Sequence, residues 1–252
     1  SQHANNFILK GALMLRAWRS PQTRPTMDID MLERTSNEID SIVDQVKNII
    51  SIKSEPDGLV FDLESIKAVR IKEDADYEGV RVRFIGTLDN ARIHMQIDVG
   101  FDDIVYPGPI KTKFPTILDS PAPRLLCYSR ESAIAEKFEA MVKLGELNSR
   151  MKDFYDVWLL SRQFNFDGEE LAEAMRLTLE HRGTDIPEVI TAFTEAFIKN
   201  KQVQWKAFLK RLAQEHIPTD FSVIVSNIEV FLGPMINGAK IPSKWSAPNT
   251  WI

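Results

Sequence analysis

Five prolines crowd residues 101–123 (Pro107, Pro109, Pro115, Pro121 and Pro123), and the hydrophobic pattern differs on the two sides of that stretch. Proline fixes φ and has no N–H to donate, so such a run forms neither a helix interior nor a central strand. Before it, short segments alternate apolar with polar residues, the period of a half-buried strand. After it, apolar residues recur at steps of three and four, the period of a helix. A chain with this switch folds as α+β. We place a mixed helix-and-strand core over 1–125 and an all-helical domain over 126–252, with the proline stretch as an extended connector.

Within the first part, Met27-Asp28-Ile29-Asp30-Met31-Leu32 reads as a strand. Apolar residues at 39, 42, 43, 46, 49 and 50 give a helix over 39–50. Residues 80–88 and 91–99 read as two strands turning at Asp89-Asn90, with Met95, Ile97 and Val99 on one face and His94, Gln96 and Asp98 on the other. Lys10-Gly11-Ala12 reads as a strand end feeding a short helix, and 20–25 as a loop. In the second part helices are expected near 130–143, 150–163, 168–181, 186–199, 202–215 and 221–236, with 241–252 as an irregular strap.

Several function classes drop out. The net charge is −5, which disfavours a basic nucleic-acid coat protein. Cys127 is the one cysteine, so no internal disulfide or Cys-based zinc site can form, and a reducing, cytoplasmic compartment is expected. No apolar run approaches the roughly 18 residues of a membrane span, so no membrane partner is expected. The four histidines show no ligand spacing, and GxSxG, HExxH, GxxxxGK[ST] and GxGxxG are absent.

What remains is carboxylate and lysine chemistry. Asp28 and Asp30 stand at i and i+2, so a strand projects both from one face, where they repel unless a cation lies between them. Oxygen donors of this kind suit Mg²⁺, which takes one or two carboxylates plus substrate phosphates. Asp98, on a strand whose other face is apolar, is a third candidate ligand. Gly11 allows backbone to approach a phosphate, with Lys10 and Ala12 beside it. Lys137 lies at the edge of the stripe Ile134, Phe138 and Met141, where a cation needs an anion partner. Glu136, Glu139 and Lys143 fall on the side expected to face solvent. Asp153 and Asp156 follow at i, i+3 in the next helix, placed so that one of them orients Lys137 or faces a nucleotide.

In order, these pieces resemble one family. Residues 7–15 with Arg24-Pro25-Thr26-Met27-Asp28-Ile29-Asp30 look like the first motif of the AbiEii/AbiGii toxin nucleotidyltransferases. Residues 133–140 are similar to its lysine motif, and 149–156 to its last acidic motif. The resemblance implies a polymerase-β-like nucleotidyltransferase core followed by a helical domain. It implies Asp28 and Asp30, with Asp98, as ligands of Mg²⁺ or Mn²⁺. It implies Lys10, Gly11, Ala12 and Lys137 against the nucleotide phosphates, with Asp153 completing the catalytic set. An NTP substrate, an acceptor such as transfer RNA or another RNA, and a cognate antitoxin are implied in the same way. Ala12 departs from the Gly-Ser or Gly-Gly of the wider superfamily and offers no hydroxyl to a phosphate. Relatives usually carry a helix upstream of the first motif, whereas this sequence opens at Ser1, almost at that motif.

Two other readings share these residues. A small-molecule nucleotidyltransferase would have the same core and a different acceptor. A positive groove between the two domains using Arg81, Arg83 and Arg92 would favour RNA instead. A non-catalytic nucleotide-binding partner would keep the fold without the chemistry.

Overall fold

The protein is described by a computed structural model covering residues 1–20, 24–53, 57–74, 77–116, 119–214, 216–236 and 240–252. The loop expected at 20–25 falls in part on 21–23, outside the described residues, as do position 215 of an expected helix and 117–118 of the connector. The chain divides into two compact units, Ser1–Asp103 with Pro109–Tyr128, and Ile104–Gly108 with Ser129–Ile252.

The first unit is built on a sheet. Its elements run β1 (Phe7–Lys10), α1 (Leu13–Ala17), β2 (Ile29–Glu33), α2 (Ile39–Ile50), β3 (Leu59–Asp74), β4 (Tyr77–Leu88), β5 (Ala91–Phe101), β6 (Ile110–Lys113) and β7 (Arg124–Cys127). The strand order is β3-β4-β5-β2-β1-β7-β6. β2 runs parallel to β5 and β1 parallel to β7, and the other pairs are antiparallel. One sheet face is apolar because β4 and β5 alternate. Val80, Val82, Phe84 and Val99 pack with Phe101 against Ile42 and Val46 of α2. The polar alternates, including Asp98 and Gln96, therefore lie on the other face. The buried Glu33 shapes the β2–α2 turn by accepting from the backbone N–H groups of Thr35 and Ser36.

Three features of this unit differ from the sequence reading, one of them strand β7, which spans the expected boundary at 125/126. β3 had no counterpart in that reading, and the connector holds strand β6 rather than being extended throughout. β3 escapes pattern recognition because its register shifts between Asp62 and Lys67, which breaks the period of two.

The second unit is mainly helical: α3 (Arg130–Leu144), α4 (Met151–Gln163), α5 (Gly168–His181), α6 (Glu195–Leu212) and α7 (Phe221–Ile236). It also holds a small sheet of order β10-β9-β8, with β8 (Phe166–Asp167), β9 (Lys244–Ser246) and β10 (Thr250–Trp251). The tail is thus a hairpin rather than an irregular strap, fixed where Trp245 Nε1 donates to Ser161 O at 2.6 Å and Trp251 Nε1 to Phe231 O at 2.9 Å. α4 is buried almost all round, from Asp153 through Ser161. Phe154, Phe197, Trp205 and Phe221 form an aromatic cluster beside it.

The helices expected at 186–199 and 202–215 are a single helix, α6, preceded by a loop and a 3₁₀ turn at Thr191–Phe193. Pro187 and the β-branched residues around it resist helix, while no glycine or proline interrupts 195–212. Thr194 caps the start by accepting from Phe197 N at 3.3 Å. Among the described residues no helix is long and apolar enough to cross a membrane.

Candidate active site

Strand pairing lines up the polar face of the first unit. Lys10 on β1 is in register with Asp30 on β2, Asp30 with Asp98 on β5, and Asp98 with Arg81 on β4. Partners in register share a face, so two carboxylates stand side by side between two cations. Asp28 lies just before β2 and is half-buried. Gln96 bridges it to this row, with Nε2 donating to Asp28 Oδ1 at 2.7 Å and to Asp98 Oδ2 at 3.3 Å. Arg83 Nε in turn donates to Gln96 Oε1 at 3.0 Å.

The cations are themselves held. Arg81 grips Asp98 with a two-pronged contact, Nε to Oδ1 at 2.8 Å and Nη2 to Oδ2 at 2.7 Å. Lys10 Nζ donates to Asp103 Oδ2 at 2.6 Å, and that carboxylate is 2% exposed. Asp98 is buried and both its oxygens face Arg81. The arrangement explains a further observation: among the described residues no three His, Cys, Asp or Glu side chains are grouped to hold a metal ion. Asp28, Asp30 and Asp98 share a face, but they are not drawn into one cage. The donor set that fits a hard divalent cation is Asp28 with Asp30, a pair of carboxylates that leaves further positions to water and phosphate.

Gly11 is required where it stands. Its φ is +70°, and a Cβ added there would come within 1.9 Å of Asp30 Oδ2. The missing side chain lets the Asp30 carboxylate lie directly on the backbone that leads into α1. Ala12 is buried, so its methyl group serves packing, consistent with its lack of a phosphate-binding hydroxyl.

The second unit holds a different constellation. Ser129 caps α3 by accepting from Ser132 N at 3.0 Å, and Ile134, Phe138 and Met141 are fully buried, which leaves Lys137 at the stripe edge. Lys137 Nζ lies 2.9 Å from Asp153 Oδ1 and 3.0 Å from Asp156 Oδ2, and Arg150 Nε lies 3.6 Å from Asp153 Oδ2. Both aspartates are buried, at 4% and 2%. Asn148 Oδ1 accepts from Arg150 N at 2.9 Å and sets the entry into α4. Lys137 is thus bound by two carboxylates, Asp156 as closely as Asp153.

One expectation is corrected here. Glu139 does not face solvent: it is 1% exposed, with Arg182 Nη1 donating at 2.9 Å and Thr184 Oγ1 at 2.6 Å. Its partners lie more than 40 positions away, beyond the reach of helical periodicity. Asp103 and Gln96 also take parts that the sequence reading did not assign, and Lys137, expected to be oriented by one of Asp153 and Asp156, is held by both. Gln96 lies on the face that strand alternation predicts, and its bridge to Asp28 is a contact that alternation does not specify. Nothing in the local pattern pointed to the pairing of Asp103 with Lys10.

Two solved Helicobacter pylori structures share coverage with this chain. JHP933 is 13% identical at a TM-score of 0.48, over 90% of this chain and 85% of that one. A protein described as a "putative nucleotidyltransferase" is 14% identical at a TM-score of 0.48, over 91% and 89%. No curated protein matches the chain. A family model described as "Nucleotidyl transferase AbiEii toxin, Type IV TA system" matches residues 1–227. The chain therefore belongs to the AbiEii family of nucleotidyl transferase toxins of type IV toxin–antitoxin systems.

Proposed function

We propose that this protein transfers a nucleoside monophosphate from an NTP to an acceptor hydroxyl, with RNA, and transfer RNA first, as the acceptor. The observation that carries the reading is the row Lys10–Asp30–Asp98–Arg81, with Asp30 seated on Gly11. Like charges at neighbouring strand positions cost stability unless they serve a cation. Family membership supplies the reaction class and a cognate antitoxin as partner.

The acceptor hydroxyl gives its proton to a carboxylate of the Asp28, Asp30 and Asp98 set, its oxygen attacks the α-phosphorus, the bond from that phosphorus to the bridging oxygen breaks, and pyrophosphate leaves with the bond electrons. Asp28 and Asp30 would hold Mg²⁺, with Mn²⁺ as a substitute; when bound, the ion supplies positive charge to the phosphate oxygens. Gln96 orients Asp28. Asp98 stands beside Asp30 as the third carboxylate, its charge balanced by Arg81. The backbone at Lys10, Gly11 and Ala12 approaches the triphosphate. Likeness to the family's lysine motif makes Lys137, held by Asp153 and Asp156, a phosphate-binding lysine. Catalysis on this reading is positioning and electrostatics.

The test is label transfer with each of four α-³²P NTPs, Mg²⁺ and total bacterial transfer RNA. Label on RNA is expected from one or more of the nucleotides. Label on a small molecule instead would move the protein to the small-molecule class. Calorimetric Mg–NTP binding without any transfer would leave the non-catalytic nucleotide-binding partner.

A further inference from the structure

The sheet face that carries Asp28, Asp30 and Asp98 continues past those carboxylates. Along β5 it runs from Asp98 through Gln96 to His94 and Arg92, since alternate residues share a face. Across the sheet, Gln96 aligns with Arg83 on β4, and Arg83 with Lys67 on β3. Lys67, Arg83, His94 and Arg92 are all exposed, and the α2 core covers only the opposite face. Three permanent cations thus share one open surface in a chain whose net charge is −5. Asp62 and Glu64 lie in the bulge at its β3 edge, with Glu64 N donating to Asp62 Oδ1 at 3.1 Å.

We propose that this surface binds the phosphodiester strand of a nucleic-acid acceptor and leads its terminal hydroxyl toward Asp28 and Asp30; the proposal rests on the nucleotidyl-transfer reading above. The charge and the reach both favour a strand. From Gln96 to Arg92 the face extends about 14 Å at the usual rise of a strand. That distance matches about four stacked nucleotides at ~3.4 Å each. A small acceptor would need no cations that far from the carboxylates. Arg83, fixed through Nε by Gln96, and Lys67 and Arg92 on either side of it meet phosphates. The exposed ring of His94 supplies a flat surface on which a base can stack. Such contacts are tolerant of sequence, so the platform selects a polynucleotide and not a particular base.

The probe is a fluorescein-labelled transfer RNA transcript, with binding followed by anisotropy between about 50 and 200 mM salt. Wild type is compared with K67A/R92A and with K199A/K210A, a charge-matched pair at exposed positions of α6. All four substituted positions are exposed, and circular dichroism checks folding. The expected result is an affinity loss of about tenfold or more for K67A/R92A alone, with a salt slope shallower by about 1 to 2. Mg–NTP binding by calorimetry is expected to stay unchanged. Equal RNA affinity in K67A/R92A and wild type, or an equal loss in K199A/K210A, overturns the platform. The two readings fail separately. Label transfer to RNA that is undiminished in K67A/R92A overturns the platform and leaves the chemistry standing. Selective loss of RNA binding, in a protein that transfers no label, supports the platform and overturns the chemistry.

Discussion

The two units each bring aspartates together, and they treat them in opposite ways. In the helical unit Asp153 and Asp156 are buried, and both close on Lys137 at 2.9 and 3.0 Å. In the sheet unit Asp28 and Asp30 are half-buried and stand on a face that the core leaves open. A buried carboxylate pair must be compensated from within, because desolvated charge is costly. A carboxylate pair on an open face can be compensated by a ligand. On the proposed reading the helical set is chiefly a structural clamp that presents Lys137, and the sheet set is the place where a cation and phosphates are received.

Four substitutions sharpen that contrast. The largest effect is expected from D28N, which removes a ligand oxygen and its charge: transfer should fall by about 10²- to 10⁴-fold, read by single-turnover label transfer, with the urea midpoint preserved. Next comes K137A. It removes the ammonium on which the buried Asp153 and Asp156 both close, and a stability loss of about 3–5 kcal/mol is expected in urea unfolding. Adding D153N and D156N to that variant should recover part of the loss, because the stranded charges are gone. A midpoint unmoved by K137A would break the clamp reading. G11A should cost about 1–2 kcal/mol, from the positive φ and the approach to Asp30, together with a loss of transfer activity.

The smallest effect concerns Glu131 in α3. Burial pushes its carboxyl above the usual carboxylate range, outweighing the attraction of the adjacent Arg130. A raised folded value means that the folded state holds the proton more tightly than the unfolded chain. Its ionisation therefore destabilises the fold as pH rises through the window from the ordinary glutamate value, about 4.3, to the raised one. E131Q should accordingly stabilise the protein at neutral pH and leave it unchanged at pH below that window, as thermal melts at the two pH values would show.

How far the sequence foretold this depends on whether an interaction is local. The helix at Ile39–Ile50 was legible to the residue because its apolar spacing is unbroken. The hairpin at Asp89-Asn90 was legible because two alternating runs flank a two-residue turn, where Asp89 takes φ 51°. The face shared by Asp98, Gln96 and His94 followed from period two. β3 was not legible, because a bulge interrupts its period and charged residues line the strand. On the site, the pair Asp28 and Asp30 announced itself by spacing, and Lys137 by its position on a helix edge. The partners did not. Asp103 meets Lys10 across 93 positions, and Arg182 meets Glu139 across 43. Contacts of that range are set by how strands and helices assemble, which no local pattern encodes.

The central claim is that the sheet carboxylates perform the chemistry while the helical pair maintains the fold. D30N and D156N, compared side by side with wild type, test it most directly through single-turnover transfer and urea unfolding on the same samples. The account predicts opposite signatures. D30N loses transfer and keeps its midpoint, whereas D156N loses stability and retains transfer in proportion to its folded fraction. Transfer at the wild-type rate by folded D30N would contradict the account.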